Sequence, residues 1–251
     1  MSDGTPSAKS DQSVAVAAAQ AAAAAAQAAR AAPLKPRAKS VSADLVTDAD
    51  AAAEQAAAAV IAEHRPDDAI LGEEGARRDG TTSRRWLIDG IDGTVGFAAG
   101  LPGSWCSAVA LEDERGPRAA AVCDPLGETH TAARGEQAHM RAGRTLDTAY
   151  VATFLRRDRL VLPGVRAVGH RLLDRAGLIR HAGPGSLELA WVATGRLDAW
   201  IQPEVDPWDW LPGALLVTAA GGEARVVQAE ARWHVAGPSP LVDELVQLLT
   251  A

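Results

Sequence analysis

The sequence predicts an α/β chain, and three observations predict it. Two Ala-rich stretches of helical length are followed by short apolar runs of strand length, with further helical and strand-like runs beyond. Two of those runs lead directly into acidic residues. At 251 residues and 47% hydrophobic content, the chain is long enough for one large core or two tightly fused halves.

Taken in order, residues 1–12 are polar and are expected to form a disordered tail, leaving 13–251 as a single domain. Val14 to Ala32 is a strong helix by propensity, stopped by Pro33 and Pro36. Asp44 to Ala62 begins as a loop and becomes a second Ala-rich helix, ended by His64-Arg-Pro66. Ala69 to Leu71 reads as a buried strand running into Gly72-Glu-Glu-Gly75, and Trp86 to Ile88 as another. Ser107–Leu111 and Ala119–Cys123 read as paired strands around a turn at Glu112–Pro117. A seam is expected between Arg134 and Thr153, with an α+β half before about residue 140 and an α/β half after it. Beyond it, helices are expected at Val161–Leu173, Ser186–Thr194, Leu211–Ala220 and Leu241–Leu249, with a strand at Leu197–Ile201.

The net charge of −7 argues against a generic nucleic-acid binder, which needs a basic surface, but not against a phosphorylated substrate met through bound cations. Cys106 and Cys123 read as reduced core thiols of a cytoplasmic protein. No membrane span is evident, and the Val14–Ala32 stretch lacks the basic start of a signal peptide.

Four acidic pairs stand out: Asp48 and Asp50, Glu73 and Glu74, Asp89 and Asp92, and Asp206 and Asp209. No His or Cys set accompanies them, and oxygen-only ligands favour a hard cation, above all Mg²⁺. In Asp89-Gly-Ile-Asp-Gly-Thr94, two carboxylates three apart on an irregular turn can face one point, and glycines let the backbone approach it. A helix starting at Gly93 or Thr94 would aim free amides at the same point. Taken alone, this unit is equally well read as a capped helix. The other acids tip the balance, because acids that converge without basic partners imply a cation. Glu74 and Asp48 are expected to point away or to serve a helix start, and Asp206 to cap a loop. His181 and His234 read as ordinary surface or core histidines, and the tryptophans of 191–210 as core or interface.

Trp86-Leu-Ile-Asp-Gly-Ile-Asp-Gly-Thr-Val-Gly-Phe97 closely resembles the signature of the inositol monophosphatase family. Asp44-Leu-Val-Thr-Asp-Ala-Asp50, Gly72-Glu-Glu74 and Trp208-Asp-Trp-Leu-Pro-Gly213 followed by Ala220-Gly-Gly222 fall in that family's order. The resemblance implies a layered αβαβα sugar-phosphatase fold and a homodimer that hydrolyses a small phosphate monoester with two to three Mg²⁺ ions. It implies that Glu73, Asp89 and the Ile91 carbonyl hold one ion, and that Asp89, Asp92 and Asp209 hold a second. Asp50 and Thr94 would orient the attacking water, Glu73, counted with them as catalytic, would also help a looser third ion, and the Gly93 and Thr94 amides would grip phosphate. Asp92, Gly185, Gln202 and Lys39 would face the substrate. Gly90 stands where the family has Pro, a change expected to loosen the turn, and Gly96 where it has Asn. Gln202 stands where several relatives carry Glu, and Pro184-Gly185 where small residues usually line the substrate side, so the polyol pocket is altered while the metal-ligand set is intact.

Overall fold

The computed structural model describes residues 9–30, 37–38, 45–138, 140 and 144–250. Helix α1 (Asp11–Ala29) begins inside the expected tail, because Ser10 caps it by accepting from the Ser13 amide at 3.1 Å. Asp11 then binds Arg65, Arg84 and Arg118 at 2.9, 2.7 and 2.7 Å. Burial alone would raise its carboxyl, but the three guanidiniums override it and hold it at about 2. The short strands β1 (Arg37–Ala38) and β2 (Leu45–Val46) pair with each other. Helix α2 (Asp48–His64) packs beside α1, and both bury alanines, so the two helices lie close against the sheet beneath them.

That sheet has six strands: β3 (Ala69–Gly72), β4 (Arg77–Arg78), β5 (Arg85–Asp92), β6 (Cys106–Asp113), β7 (Gly116–Cys123) and β8 (Thr129–Ala133). Their order is β4-β3-β5-β6-β7-β8, antiparallel except for the β3–β5 pair. The short helix α3 (Thr94–Ala98) follows β5 directly. The second half adds β9 (Tyr150–Ala152), α4 (Arg157–Leu160), α5 (Val165–Arg175), β10 (Leu178–Arg180), α6 (Gly185–Ala193), β11 (Ala199–Pro203), α7 (Pro207–Ala219), β12 (Glu223–Gln228), β13 (Arg232–Gly237) and α8 (Ser239–Thr250). Its sheet runs β10-β9-β11-β13-β12.

Strand alternation sorts the side chains into four seams. Trp86, Ile88, Val109, Leu111, Ala119 and Ala121 meet α1 and α2 on one face of the first sheet. Cys106, Ala108, Ala110, Ala120 and Val122 meet Leu187, Ala190, Leu215 and Leu216 of α6 and α7 on the other. The opposite sides of α6 and α7, with Leu189, Val192, Ala214 and Val217, pack on Ala152, Trp200 and Ala236 of the second sheet. Its far face, through Val151, Ile201 and Val235, meets α5 and α8. The layers therefore run helix, sheet, helix, sheet, helix. The strands β8, β9, β10, β12 and β13 lay outside the sequence reading: β9 and β10 have three residues each, and β12 keeps no residue fully buried. Both cysteines are free and buried, one on each face of the first sheet.

Candidate active site

Four elements converge where the first sheet meets the central helices. Strand β5 does not end at Ile88, as the sequence suggested, but continues through Asp92. Asp89 lies opposite Ala108 and Asp92 opposite Cys106, so one extra residue is accommodated between them as a bulge. The expected irregular turn is thus a bulge inside a paired strand, and it aims both carboxylates at one place. Ser107 holds it by donating to the Gly90 carbonyl at 2.7 Å.

The expectation that Gly90 loosens this segment is corrected by its packing. Gly90 is buried, and a Cβ there would lie 2.7 Å from the Glu54 amide nitrogen and 2.8 Å from the Asp50 carbonyl oxygen. Helix α2 presses on the bulge so closely that only glycine fits. Gly96 is similarly confined, since a Cβ would lie 2.5 Å from the Ser104 carbonyl oxygen. Gly93, in the left-handed region at φ 93°, turns the chain from the bulge into α3.

Glu73, Asp89 and Asp209 each bring a carboxylate oxygen within 4.8 Å of the others. Asp89 is buried, and Glu73, Asp92 and Asp209 are half-buried. Burial, then the negative charges of Glu73, Asp92 and Asp209, push the Asp89 carboxyl well above its usual range. Burial, Asp92 and Glu73 do the same to Asp209. Among the described residues, the leading influences on both are burial and neighbouring acids. Asp92 stands beside this trio: its Oδ2 accepts from the Ser186 amide at 2.7 Å, and the Gly185 amide also faces it. Burial still raises it, against those hydrogen bonds.

Asp50 and Thr94 are joined as the sequence implied. Thr47 caps α2, and Asp50 completes the capping box, its Oδ2 accepting from the Thr47 amide at 2.7 Å and hydroxyl at 2.6 Å. That leaves Oδ1 to accept from the Thr94 hydroxyl at 2.7 Å, which also lies 3.2 Å from the Ile91 carbonyl oxygen. Gly185 opens α6, and a Cβ added there would lie 3.5 Å from Trp200 Cζ2 and 4.0 Å from Gln202 Oε1. Gln202 Oε1 is buried and has no hydrogen-bond partner among the described residues. Lys39 lies outside the described residues.

The remaining sequence assignments divide. Asp48 opens α2 as expected. Asp206 occupies the position before α7, but its side chain makes no capping hydrogen bond; Pro207 sets the first turn instead. His181 is an exposed histidine that accepts from the Leu155 amide at 2.9 Å. His234 is buried against Trp210 with its Nδ1 unpartnered, and burial lowers it to about 4. Trp210 stacks on Trp200, so these rings serve mainly as core.

Glu54 escaped the sequence reading. It is buried on α2, one turn beyond Asp50, and accepts from the Glu74 amide at 2.6 Å and from the Ala76 amide. It thereby shapes the turn that carries Glu73. An acid four residues after Asp50, alone in an Ala run, was the available signal. Glu54→Gln turns a donor onto one of those amides and should cost about 2–4 kcal/mol, read as a Tm lower by roughly 5–10 °C. An unchanged Tm would remove Glu54 from this role.

The chain matches the inositol monophosphatase family over residues 8–244. It belongs to that family. It is similar to a Pseudomonas aeruginosa protein named Nus factor SuhB, with 36% identity over 193 residues covering 71% of each chain. The Escherichia coli K12 Nus factor SuhB is 33% identical over 192 residues, covering 72% of this chain and 71% of that one. Among solved structures, the extragenic suppressor protein suhB of Bartonella henselae superposes with a TM-score of 0.85 at 26% identity, covering 94% of this chain and 97% of that one. An inositol monophosphatase from Anabaena gives 0.79 at 25% identity, covering 95% and 94%. The layered αβαβα arrangement is therefore that of the inositol monophosphatase fold.

Proposed function

We propose that this family member is a Mg²⁺-dependent phosphatase acting on a small phosphate monoester, such as an inositol, cyclitol or sugar phosphate. The observation that carries this is the trio Glu73, Asp89 and Asp209: three carboxylates within 4.8 Å, whose mutual repulsion and burial push Asp89 and Asp209 well above the usual range. Such a cluster fits a hard divalent cation, which would offset the mutual repulsion. Glu73, Asp89 and the Ile91 carbonyl would hold one ion, and Asp89, Asp92 and Asp209 a second. When bound, Mg²⁺ lowers the pKa of water and offsets charge developing on the leaving oxygen.

The chain's own residues supply the rest. Asp50 fixes the Thr94 hydroxyl, and the pair would orient the attacking water. The Gly93 and Thr94 amides would hold the phosphate; α3 has only five residues, so these amides rather than a long helix dipole carry that contact. Gly185 and Gln202 would face the alcohol. Lys39 would add a positive charge near the substrate. Histidinol phosphate, a 3′-phosphonucleotide or an aminocyclitol phosphate of secondary metabolism are alternative substrates on the same machinery. We place the protein in the cytoplasm as a homodimer; no helix among the described residues is long and apolar enough to cross a membrane.

A phosphate-release screen with Mg²⁺ over these substrate classes tests the reading, and turnover that survives a chelator would overturn it. Chelation should also lower Tm, more at pH 8 than at pH 5.5. The site carboxyls are raised in the folded, metal-free chain, so their contribution to stability is fully present below the usual value of 3.8 and is lost as pH rises through their raised values. Bound Mg²⁺ removes that loss. The relatives named Nus factor SuhB support a second reading, that this chain also serves as a Nus factor. A hydrolysis-dead variant that fully complements a deletion strain would favour that role over hydrolysis.

A further inference from the structure

We propose that Arg180 and Glu188 are positioning residues that clamp the turn at Gly183, from which the Gly185 and Ser186 amides reach the Asp92 carboxylate. Glu188 is completely buried, one turn into α6. Its Oε1 receives Arg180 Nε at 2.9 Å, while another guanidinium nitrogen of Arg180 donates to the Gly183 carbonyl at 3.2 Å. The guanidinium also lies over the Trp191 ring, 5.0 Å from its centroid. One side chain on β10 therefore grips both the body of α6 and the turn that precedes it.

The first turn of α6 connects this grip to the site. The Ser186 amide donates to Asp92 at 2.7 Å, and the Ser186 hydroxyl donates to the Asp209 carbonyl at 3.1 Å. A shift of the turn would move the donors that orient one site carboxylate and loosen the backbone of another. An apolar pair would fill the same space at no cost in stability, since buried ion pairs rarely stabilise a fold more than well-packed hydrophobic residues do. What the ion pair adds is direction: a forked guanidinium fixes two acceptors at once, which a lysine cannot do. Glu188 lies within electrostatic reach of Asp92. Burial and the Asp92 charge push its carboxyl up, while the Arg180 guanidinium pulls it down.

The test uses the full-length protein with Glu188→Gln and Arg180→Lys, both close in shape to the original residues. The first readout needs no metal: backbone amide exchange at Gly185 and Ser186 should accelerate about tenfold or more, while amides in Ala214–Val217 of α7 keep wild-type rates. The second readout rests on the metal-site reading: Mn²⁺ binding followed by electron paramagnetic resonance should weaken by about tenfold, the lower end for partners outside the ligand shell. Unchanged exchange at Ser186 in both variants overturns the proposal. So does acceleration spread evenly along the chain, which would mark the pair as a contributor to general stability alone. If the wild type binds no Mn²⁺ while the local exchange effect is found, the metal reading fails and the clamp stands.

Discussion

Asp89→Asn is expected to lower kcat/KM for any hydrolysed phosphate monoester by on the order of 10³-fold or more, because metal charge stabilisation is worth several kcal/mol and each 1.4 kcal/mol is tenfold. Asp89 is the one acid proposed to serve both ions, and it is the most deeply buried of the four. Stability should move the other way. In the metal-free chain, the buried Asp89 carboxyl is pushed well above its usual range by burial and three neighbouring acids. A neutral amide of the same shape escapes that repulsion, so the variant's metal-free Tm at pH 8 should equal or exceed the wild-type value. Loss of activity with a gain in metal-free Tm is a signature that general misfolding cannot produce. Retained turnover would remove Asp89 from the metal site, and a lower Tm would show that its charge is compensated within the protein.

Gly90→Ala is expected to destabilise by about 1–3 kcal/mol, and to lower kcat/KM by about 10²-fold through displacement of the acids on either side. The added methyl would meet backbone atoms of α2, at Glu54 and Asp50, rather than the flexible end of a side chain. The bulge and the helix must therefore separate, and each carries part of the site: Asp89 and Asp92 on one, Asp50 on the other. Shortening Ala53 to glycine in a double variant should not rescue it, because that relieves only the methyl contact at 3.0 Å and leaves the backbone contacts. A wild-type Tm for Gly90→Ala would show that α2 does not press on the bulge.

These two positions show what the sequence makes legible. The acids at 73, 89, 92 and 209 could be read because their chemistry has few structural explanations once they occur in that order, and the structure brings three of them within 4.8 Å. Asp50 and Thr94 were linked only through the family resemblance, and their 2.7 Å contact joins them. Gly90 was visible as a departure, but its consequence was misjudged. A glycine reads as freedom along the chain, whereas here it records how closely a helix distant in sequence approaches. Glu54, Ser107 and Ser186 went unread because the side chain of each acts on a backbone group of another segment, and no spacing rule encodes such a contact. The Arg180–Glu188 pair was hidden similarly: an arginine and a glutamate eight apart across a turn carry no signal until β10 and α6 are side by side. The missed strands share another cause. Segments such as β9 and β10, of three residues each, are defined by their neighbours rather than by their own pattern.

The two cysteines give the molecule a pair of internal clocks. Cys106 faces the central helices, and its thiol is held far above the ordinary range by burial and by the charges of Asp92 and Asp89. Cys123 faces α1 and α2 on the opposite side of the same sheet, its thiol raised mainly by burial. Burial leaves little thiolate at either position for an alkylating reagent while the sheet is covered. Each reacts faster once its own layer opens. The order in which the two are alkylated under mild denaturant therefore reports which helical layer detaches first, without any engineered label.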